Sequence, residues 1–363
     1  MKISRRDVVV YGLLWLLVAV VVIWAYSSVA EHRRNQAITS FEITIEDNGG
    51  EALIDAALVE EWLTQKSIHP MGRKMAEVDL GKLEATIAEH NAVSRVNAYM
   101  TYDGELYVSV SQRRAVARLR IDGYDMYVAA DGYILPVSDG YMLSLPVVTG
   151  DYKPLFGAQF VGFHGDSSNE LLADIDKRVA SIEERRVKLL ERRDEINAKL
   201  RSVEKEGVKR EIFMSDNEYR GRVEALKERK SEARRKHAED DRAIEMGLHE
   251  LDSEKLRASL DADKVHSAVD DFSKLVAFTE FICNNAFWRA EVVQIVVSGG
   301  GDAPMQVAIV PRSGDFIVDL GFTDNLVGKL STLRKFYDST LSNVGWDAYK
   351  HISLRYKGQV VCK

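Results

Sequence analysis

The chain has 363 residues, a net charge of −7 and a sequence pI near 5.7. That acidic balance excludes the basic surface on which nucleic-acid binding depends, and two cysteines are too few for a disulfide scaffold. With 46% hydrophobic residues, the chain is long enough to bury one or two ordinary cores.

Residues 1–7 carry Lys2, Arg5 and Arg6, the mark of a short cytoplasmic tail. Residues 8–30 contain no Asp, Glu, Lys, Arg or His and no Pro, and predict a transmembrane helix that uses the lipid bilayer as its solvent. Trp24 and Tyr26 fall toward the far interface, where amphipathic rings are favoured. Arg33 and Arg34 oppose the charge bias, and Ser28-Val29-Ala30 offers a rival reading as a signal-peptide cleavage site. The apolar run is long for a signal peptide. The expectation is therefore an uncleaved anchor, with the N-terminus inside and the bulk of the chain outside the cytoplasm.

A first folded unit is expected over 38–112. Phe41 to Glu46 alternates as a strand and Asn48-Gly49-Gly50 turns it. Leu53, Ala57, Leu58, Trp62 and Leu63 mark a helix that ends by His69-Pro70, and Asp79 opens a second with Leu80, Leu83 and Ile87 on one face. Val96 to Tyr102 and Leu106 to Ser111 read as strands joined at Asp103-Gly104 by a type I′ hairpin. Two helices then cover one face of a small sheet.

Residues 113–168 read as the first part of an antiparallel sheet: Ala115 to Arg120, Tyr124 to Ala129, Tyr133 to Pro136, and an extended piece from Leu143 to Val148. From 169 to 267 the composition turns strongly charged. Ile175, Ile182, Leu189, Ile196 and Val203 recur every seven residues, and Ile244, Leu251, Ala258 and Val265 form a second seam. Arg186, Arg193 and Lys255 interrupt the seams, and Gly207 and Ser215-Asp216-Asn217 are candidate breaks. An antiparallel hairpin inserted into the sheet domain is the expected form; a coiled coil between chains satisfies the same pattern. The sheet resumes over 268–363 with strands at Arg289 to Val297, Met305 to Val310 and Phe316 to Leu320. A helix follows from Asn325 to Leu341, then terminal strands at His351 to Tyr356 and Gln359 to Cys362. The whole is a membrane-anchored α+β chain: one transmembrane helix, a small sheet-helix domain, and a mainly antiparallel β domain interrupted by a long helical hairpin.

No constellation for chemistry emerges. CxxC, HExxH, GxSxG and P-loop patterns are absent, and Gly299-Gly300-Gly301 lies between strands with no helix start for a phosphate. Asp122, Asp125, Asp131 and Asp139 fall at strand turns, where short acidic side chains bond backbone amides. No catalytic residue, cofactor or metal ligand is predicted. Cys283 reads as a buried thiol, and a bridge to Cys362 stays open. The positive signal is the terminal strand. It either pairs wholly inside its own sheet or offers unpaired backbone groups to a partner strand.

The layout resembles the FtsQ/DivIB family of bacterial cell-division proteins. The N-terminal resemblance runs through Asn91 to Val96, Leu106 to Val110 and Arg113 to Ala117, with Gln112 and Ala115 standing where the family has an acidic residue and a proline. Asp131-Gly132, Leu145-Pro146 and Gly150 continue it. The C-terminal stretches are Asn285 to Ile295, Gly328-Lys329-Leu330, Leu333 to Tyr337, Gly345 to Tyr349 and Ile352 to Cys362, and these are similar to the Bacteroidetes version. The inserted helices have no counterpart in the general pattern. The resemblance implies a POTRA domain over 38–112 that recruits the protein to other division proteins. It also implies a last strand region that takes an FtsB-like protein, in complex with an FtsL-like one, by strand addition. Those partner-binding positions are Ser353, Leu354, Arg355, Tyr356, Gln359, Val360 and Val361, with Tyr356 as the side-chain anchor unless it faces the core. The implied function is a non-enzymatic scaffold at the division site during septal peptidoglycan synthesis. The alternative is an envelope transport or assembly factor whose POTRA-like domain binds substrates as a chaperone.

Overall fold

The computed structural model describes residues 15–24, 36–121, 123–137, 143–300 and 303–363. Residues 15–24 are helical with exposed apolar side chains, Trp15 and Trp24 among them. The rest of the expected span over 8–30, and the tail 1–7, lie outside the described residues. So do Asp122, Asp139, Gly301 and Asp302. Among the described residues no helix is long and apolar enough to cross a membrane.

The first domain runs β1 (Ser40–Glu46), α1 (Ala56–Gln65), α2 (Leu80–Ala88), β2 (Val93–Met100) and β3 (Glu105–Gln112), with sheet order β1-β3-β2. β1 lies parallel to β3, and β2 antiparallel to it. Asp55 caps α1 by accepting the Leu58 amide at 2.8 Å, and Asp79 caps α2 by accepting that of Lys82 at 3.1 Å. Leu106, Val108 and Val110 alternate inward from β3 onto Val59, Leu63, Leu83 and Ile87 of the two helices. The β2–β3 connection differs from the expected type I′ turn. Only Gly104 has positive φ, 84°, and Thr101 donates to the Glu105 carbonyl at 2.8 Å. The loop therefore has three residues and closes on a glycine bulge, because Asp103 keeps negative φ.

The second domain is a single ten-stranded sheet ordered β13-β12-β11-β10-β9-β7-β4-β5-β6-β8. Its strands are β4 (Ala115–Ile121), β5 (Tyr124–Ala129), β6 (Tyr133–Pro136), β7 (Val147–Tyr152), β8 (Gly162–Phe163), β9 (Val292–Gly300), β10 (Ala303–Pro311), β11 (Ile317–Phe322), β12 (His351–Ser353) and β13 (Val361–Cys362). The sheet is not antiparallel throughout. β7 lies parallel to both β4 and β9, and β12 parallel to β11. β7 thus joins the strands before the inserted helices to those after them. Gly150 permits this approach: a Cβ there would sit 1.9 Å from the Val297 carbonyl oxygen.

Between β8 and β9 rise α3 (His164–Lys205) and α4 (Asp216–Asn284). They pair antiparallel within the chain, with Ile175, Ile182, Ile244, Leu251 and Ala258 buried along the seam. The seam breakers have partners across it. Arg186 bonds Asp252 at 2.9 Å, Arg193 bonds Asp241 at 2.8 Å, and Lys255 bonds Glu183 at 2.5 Å. Charged groups at seam positions thus fix the register of the hairpin at some cost in stability. The last turns of α4 leave the hairpin and become sheet core, where Phe272, Leu275, Val276, Phe278 and Ile282 pack with Ile295, Val307 and Ile309. The expected strand from Arg289 starts later: α5 (Ala286–Glu291) buries Trp288 first, capped by Asn285, whose side chain accepts two amides at 3.1 Å. α6 (Leu326–Phe336), followed by a π turn at Tyr337–Leu341, covers the far end of the same core.

The roots of the arm sit together. His164 contacts Ser273 at 3.2 Å, and Arg178 pairs with Asp261 at 3.5 Å. Deleting residues 169–267 and joining the ends by a short linker should therefore leave cooperative thermal melting of the sheet domain intact. Loss of the cooperative transition, read by circular dichroism, would show that the core needs the arm.

The two domains are not beads on a string. Ala115, Tyr127, Ala129 and Leu135 of the sheet domain share one buried cluster with Leu53, Ile54, Ala92 and Val93 of the first. On the first domain's side of the junction, the Gln112 side-chain oxygen accepts the Leu53 amide at 2.8 Å and the Ile54 amide at 3.4 Å and fixes the entry to α1. Arg113 spans it from the other side, paired with Asp131 and stacked 3.7 Å from the Tyr133 ring centroid.

Candidate partner-docking edge

Chain order puts β12 and β13 at the rim of the large sheet. β12 docks parallel to β11, and the Leu354 amide extends the pairing by donating to the Asp319 carbonyl at 2.8 Å. Arg355 then leaves the sheet plane, its guanidinium held by the Asp319 carboxylate and by Gln306 at 2.7 Å. A reverse turn follows, closed by the Gln359 amide on the Tyr356 carbonyl at 3.2 Å, with Gly358 at φ 74° supplying the positive φ of a type II turn. β13 returns antiparallel, Ile352 opposite Cys362 and Ser353 opposite Val361.

The free side of β13 follows from that register. His351 and Lys363 exchange both backbone bonds, at 3.1 and 2.9 Å. In an antiparallel ladder such pairs alternate with pairs whose amides and carbonyls point away. The backbone groups of Cys362 therefore face outward, beyond the last strand of the sheet.

The expected positions divide into two sets. Ser353 and Leu354 are buried, 8% and 3% exposed, and Leu354 belongs to the sheet core. Val360 is half-buried against that core. Arg355, Tyr356, Gln359 and Val361 are exposed, Tyr356 by 65%. An unbroken strand would have put Leu354, Tyr356 and Val360 on one face. The turn at Lys357-Gly358 resets the alternation, so Leu354 and Val360 face inward while Tyr356 faces out.

Tyr356 stands at the mouth of a groove of about 340 Å³. One wall is the segment from Leu354 to Gln359; the other is the start of α6, with Asn325, Gly328, Lys329 and Thr332. Sequence reasoning placed these residues in a helix, and Gly328 and Lys329 also in the family resemblance, but did not set them against the terminal turn. Their pairing with the terminal turn depends on β11 running out beneath both, which no local pattern records. Gly328 has its own cause: a Cβ there would lie 2.5 Å from the Asn325 side chain, whose backbone is left-handed at φ 49°.

Electrostatics at the edge are modest. Lys350 is held above the ordinary lysine range by its hydrogen bond to Asp315, at 2.8 Å on an exposed surface. Burial raises the Cys362 thiol, so a reactive thiolate is disfavoured. Cys283 is pushed up to about 11 by burial, and its thiol donates to the Val116 carbonyl at 3.2 Å. Both cysteines are free, so the bridge left open by the sequence is not formed.

Residues 36–111 match a family described as POTRA-like domain, and residues 240–363 match FtsQ/DivIB, C-terminal related. The second match begins inside α4, so the returning helix of the hairpin belongs in part to the matched pattern. No curated protein matches the chain. The chain thus joins a POTRA-like domain to an FtsQ/DivIB-related C-terminal domain, and the two matches together support its placement with FtsQ/DivIB.

Proposed function

We propose that this protein is a membrane-anchored, non-catalytic scaffold of the division complex, which spans the inner membrane with residues 8–30 and works in the periplasm. Its POTRA-like domain contacts other division proteins, and its terminal edge holds an extended segment of an FtsB-like protein in complex with an FtsL-like one. The observation that carries this reading is the two-residue edge strand β13 beside the Tyr356 groove. An incoming strand would take main-chain bonds from Cys362 and place side chains toward Tyr356 and Val361. Arg355 adds a charge at the rim whose contribution falls with salt.

Tyr356→Ala tests the side-chain anchor. Because Tyr356 is largely exposed, melting should stay unchanged while affinity for the soluble FtsB–FtsL segment falls by about 2 kcal/mol, roughly 30-fold. Unchanged affinity in the folded variant would remove Tyr356 from the interface. A second variant lacking Gln359 to Lys363 separates a wrong anchor from a wrong site: normal binding by that variant, still folded, would rule out the terminal edge.

A further inference from the structure

The far end of the helical arm breaks a rule of turn chemistry. The Met214 amide donates to the Glu211 carbonyl at 3.1 Å and closes a reverse turn. Its two corner residues are Ile212 and Phe213, 95% and 99% exposed. Corner positions usually take Gly, Pro, Asn, Asp or Ser. A large apolar pair there keeps its surface in water and gains no packing from the fold. Local rules broken without a structural gain mark functional positions.

The turn is also pinned. Met214 is buried, and Arg210 pairs with Asp216 across the turn while lying 5.6 Å from the Tyr219 ring centroid. Arg222 bonds Glu211 at 3.4 Å and Glu218 at 3.2 Å, and Ser215 caps α4 by accepting the Glu218 amide at 3.3 Å. α4 ends beside Arg114 at the domain junction, which bonds Asn284 and Glu280. Its opposite end carries the turn, and the stretch from 268 back to 216 is about 80 Å long at 1.5 Å per residue. The pair is therefore displayed rigidly and far from the POTRA-like domain.

Charge around the turn is asymmetric at contact range. Glu204, Glu206, Glu211, Asp216 and Glu218 are all engaged by arginines. Lys205, Lys209 and Arg220 are exposed and have no ion pair among the described residues.

We infer that this tip is a docking knob for a partner protein with a preformed apolar pocket for Phe213 and Ile212 and an acidic rim for Lys209 and Arg220. A rigid aromatic anchor with free cations beside it is the arrangement such pockets select. A bilayer is the poorer occupant. Two apolar side chains give only one weak signal for lipid, and such a signal alone gives only marginal attachment. A second copy is poorer still: two side chains fall far short of the roughly 800 Å² per partner of a standard interface.

The test uses the full-length chain in cells, with the photoreactive residue p-benzoylphenylalanine at position 213. Irradiation should give one discrete protein adduct that Lys209→Glu with Arg220→Glu abolishes, while the same probe at Glu228 gives none. The partner, identified by mass and purified, should bind the full-length chain at least 30-fold more weakly after Phe213→Ser. Melting and terminal-edge binding of that variant should not change, which separates this result from the scaffold reading. Adducts of phospholipid mass, adducts of the chain with itself alone, no adduct, or unchanged affinity of Phe213→Ser would each overturn the inference.

Discussion

Gln112→Leu is expected to destabilise the POTRA-like domain by about 3 kcal/mol, because two buried amides lose the acceptor they share with little change in side-chain volume. The amides belong to Leu53 and Ile54, which enter α1 and are 5% and 3% exposed, so water cannot replace the lost oxygen without opening the core. In a domain of this size that loss lowers the melting temperature by roughly 15 °C. Gln112→Glu is the informative control. A carboxylate keeps an acceptor at the same reach, and an acidic residue stands at this position in the family pattern that the sequence resembles, so the melting temperature should stay within a few degrees of the parent. A Gln112→Leu protein that melts like the parent would mean that the entry to α1 is not held by this side chain.

The sequence showed most clearly those features that are written as short-range period. Alternation in β3, the seven-residue spacing of the hairpin seam and the aspartate that opens α2 each involve residues within a few turns of one another, and each appears in the fold. Long-range features were less legible. Arg186, Arg193 and Lys255 looked like faults in the seam, since a one-dimensional pattern does not contain the carboxylates that meet them across the hairpin. The parallel placement of β7 depends on a strand more than a hundred residues later in the chain, and Gly150 was visible only as a turn signal until Val297 came up against it. At the candidate edge the segment from Ser353 to Val361 was legible as a terminal strand pair, but its facing was not. A single reverse turn at Gly358 sends Leu354 and Val360 inward and Tyr356 outward, and α6 supplies the opposite groove wall from a separate part of the sequence.

Edge strands present the same hazard to every sheet, and the two edges here handle it differently. At one end β8 is two residues long and leads straight into α3, so the helical arm rises beside the edge. At the other, β13 is equally short. The second edge lies next to a groove at which Tyr356 is exposed. Shortness limits indiscriminate pairing, and the groove would restore selectivity for one partner.

Cys362→Pro should abolish most of the affinity for an FtsB-like segment while leaving the fold intact, and it addresses the main chain where Tyr356→Ala addresses a side chain. The Cys362 amide points away from β12, since its residue lies between the hydrogen-bonded pairs 351–363 and 353–361. Proline is tolerated on an edge strand where its missing N–H would have faced solvent. An incoming strand would lose that donor, leave one of its own carbonyls unpaired, and meet the pyrrolidine ring. The combined loss is about 3 kcal/mol, somewhat over 100-fold in affinity. Cys362→Ala should bind as the parent does, which isolates the backbone from the thiol. Val361→Pro is the opposite case. Val361 sits in the inward-facing pair with Ser353, so its replacement removes a bond that β13 needs, and the terminal strand should detach with a fall in melting temperature. The measurement is a titration of each folded variant with the soluble FtsB–FtsL segment, alongside thermal melting. If Cys362→Pro melts like the parent and binds like it too, no strand is added at this edge. If both proline variants melt early, β13 has a different facing from the one its register implies.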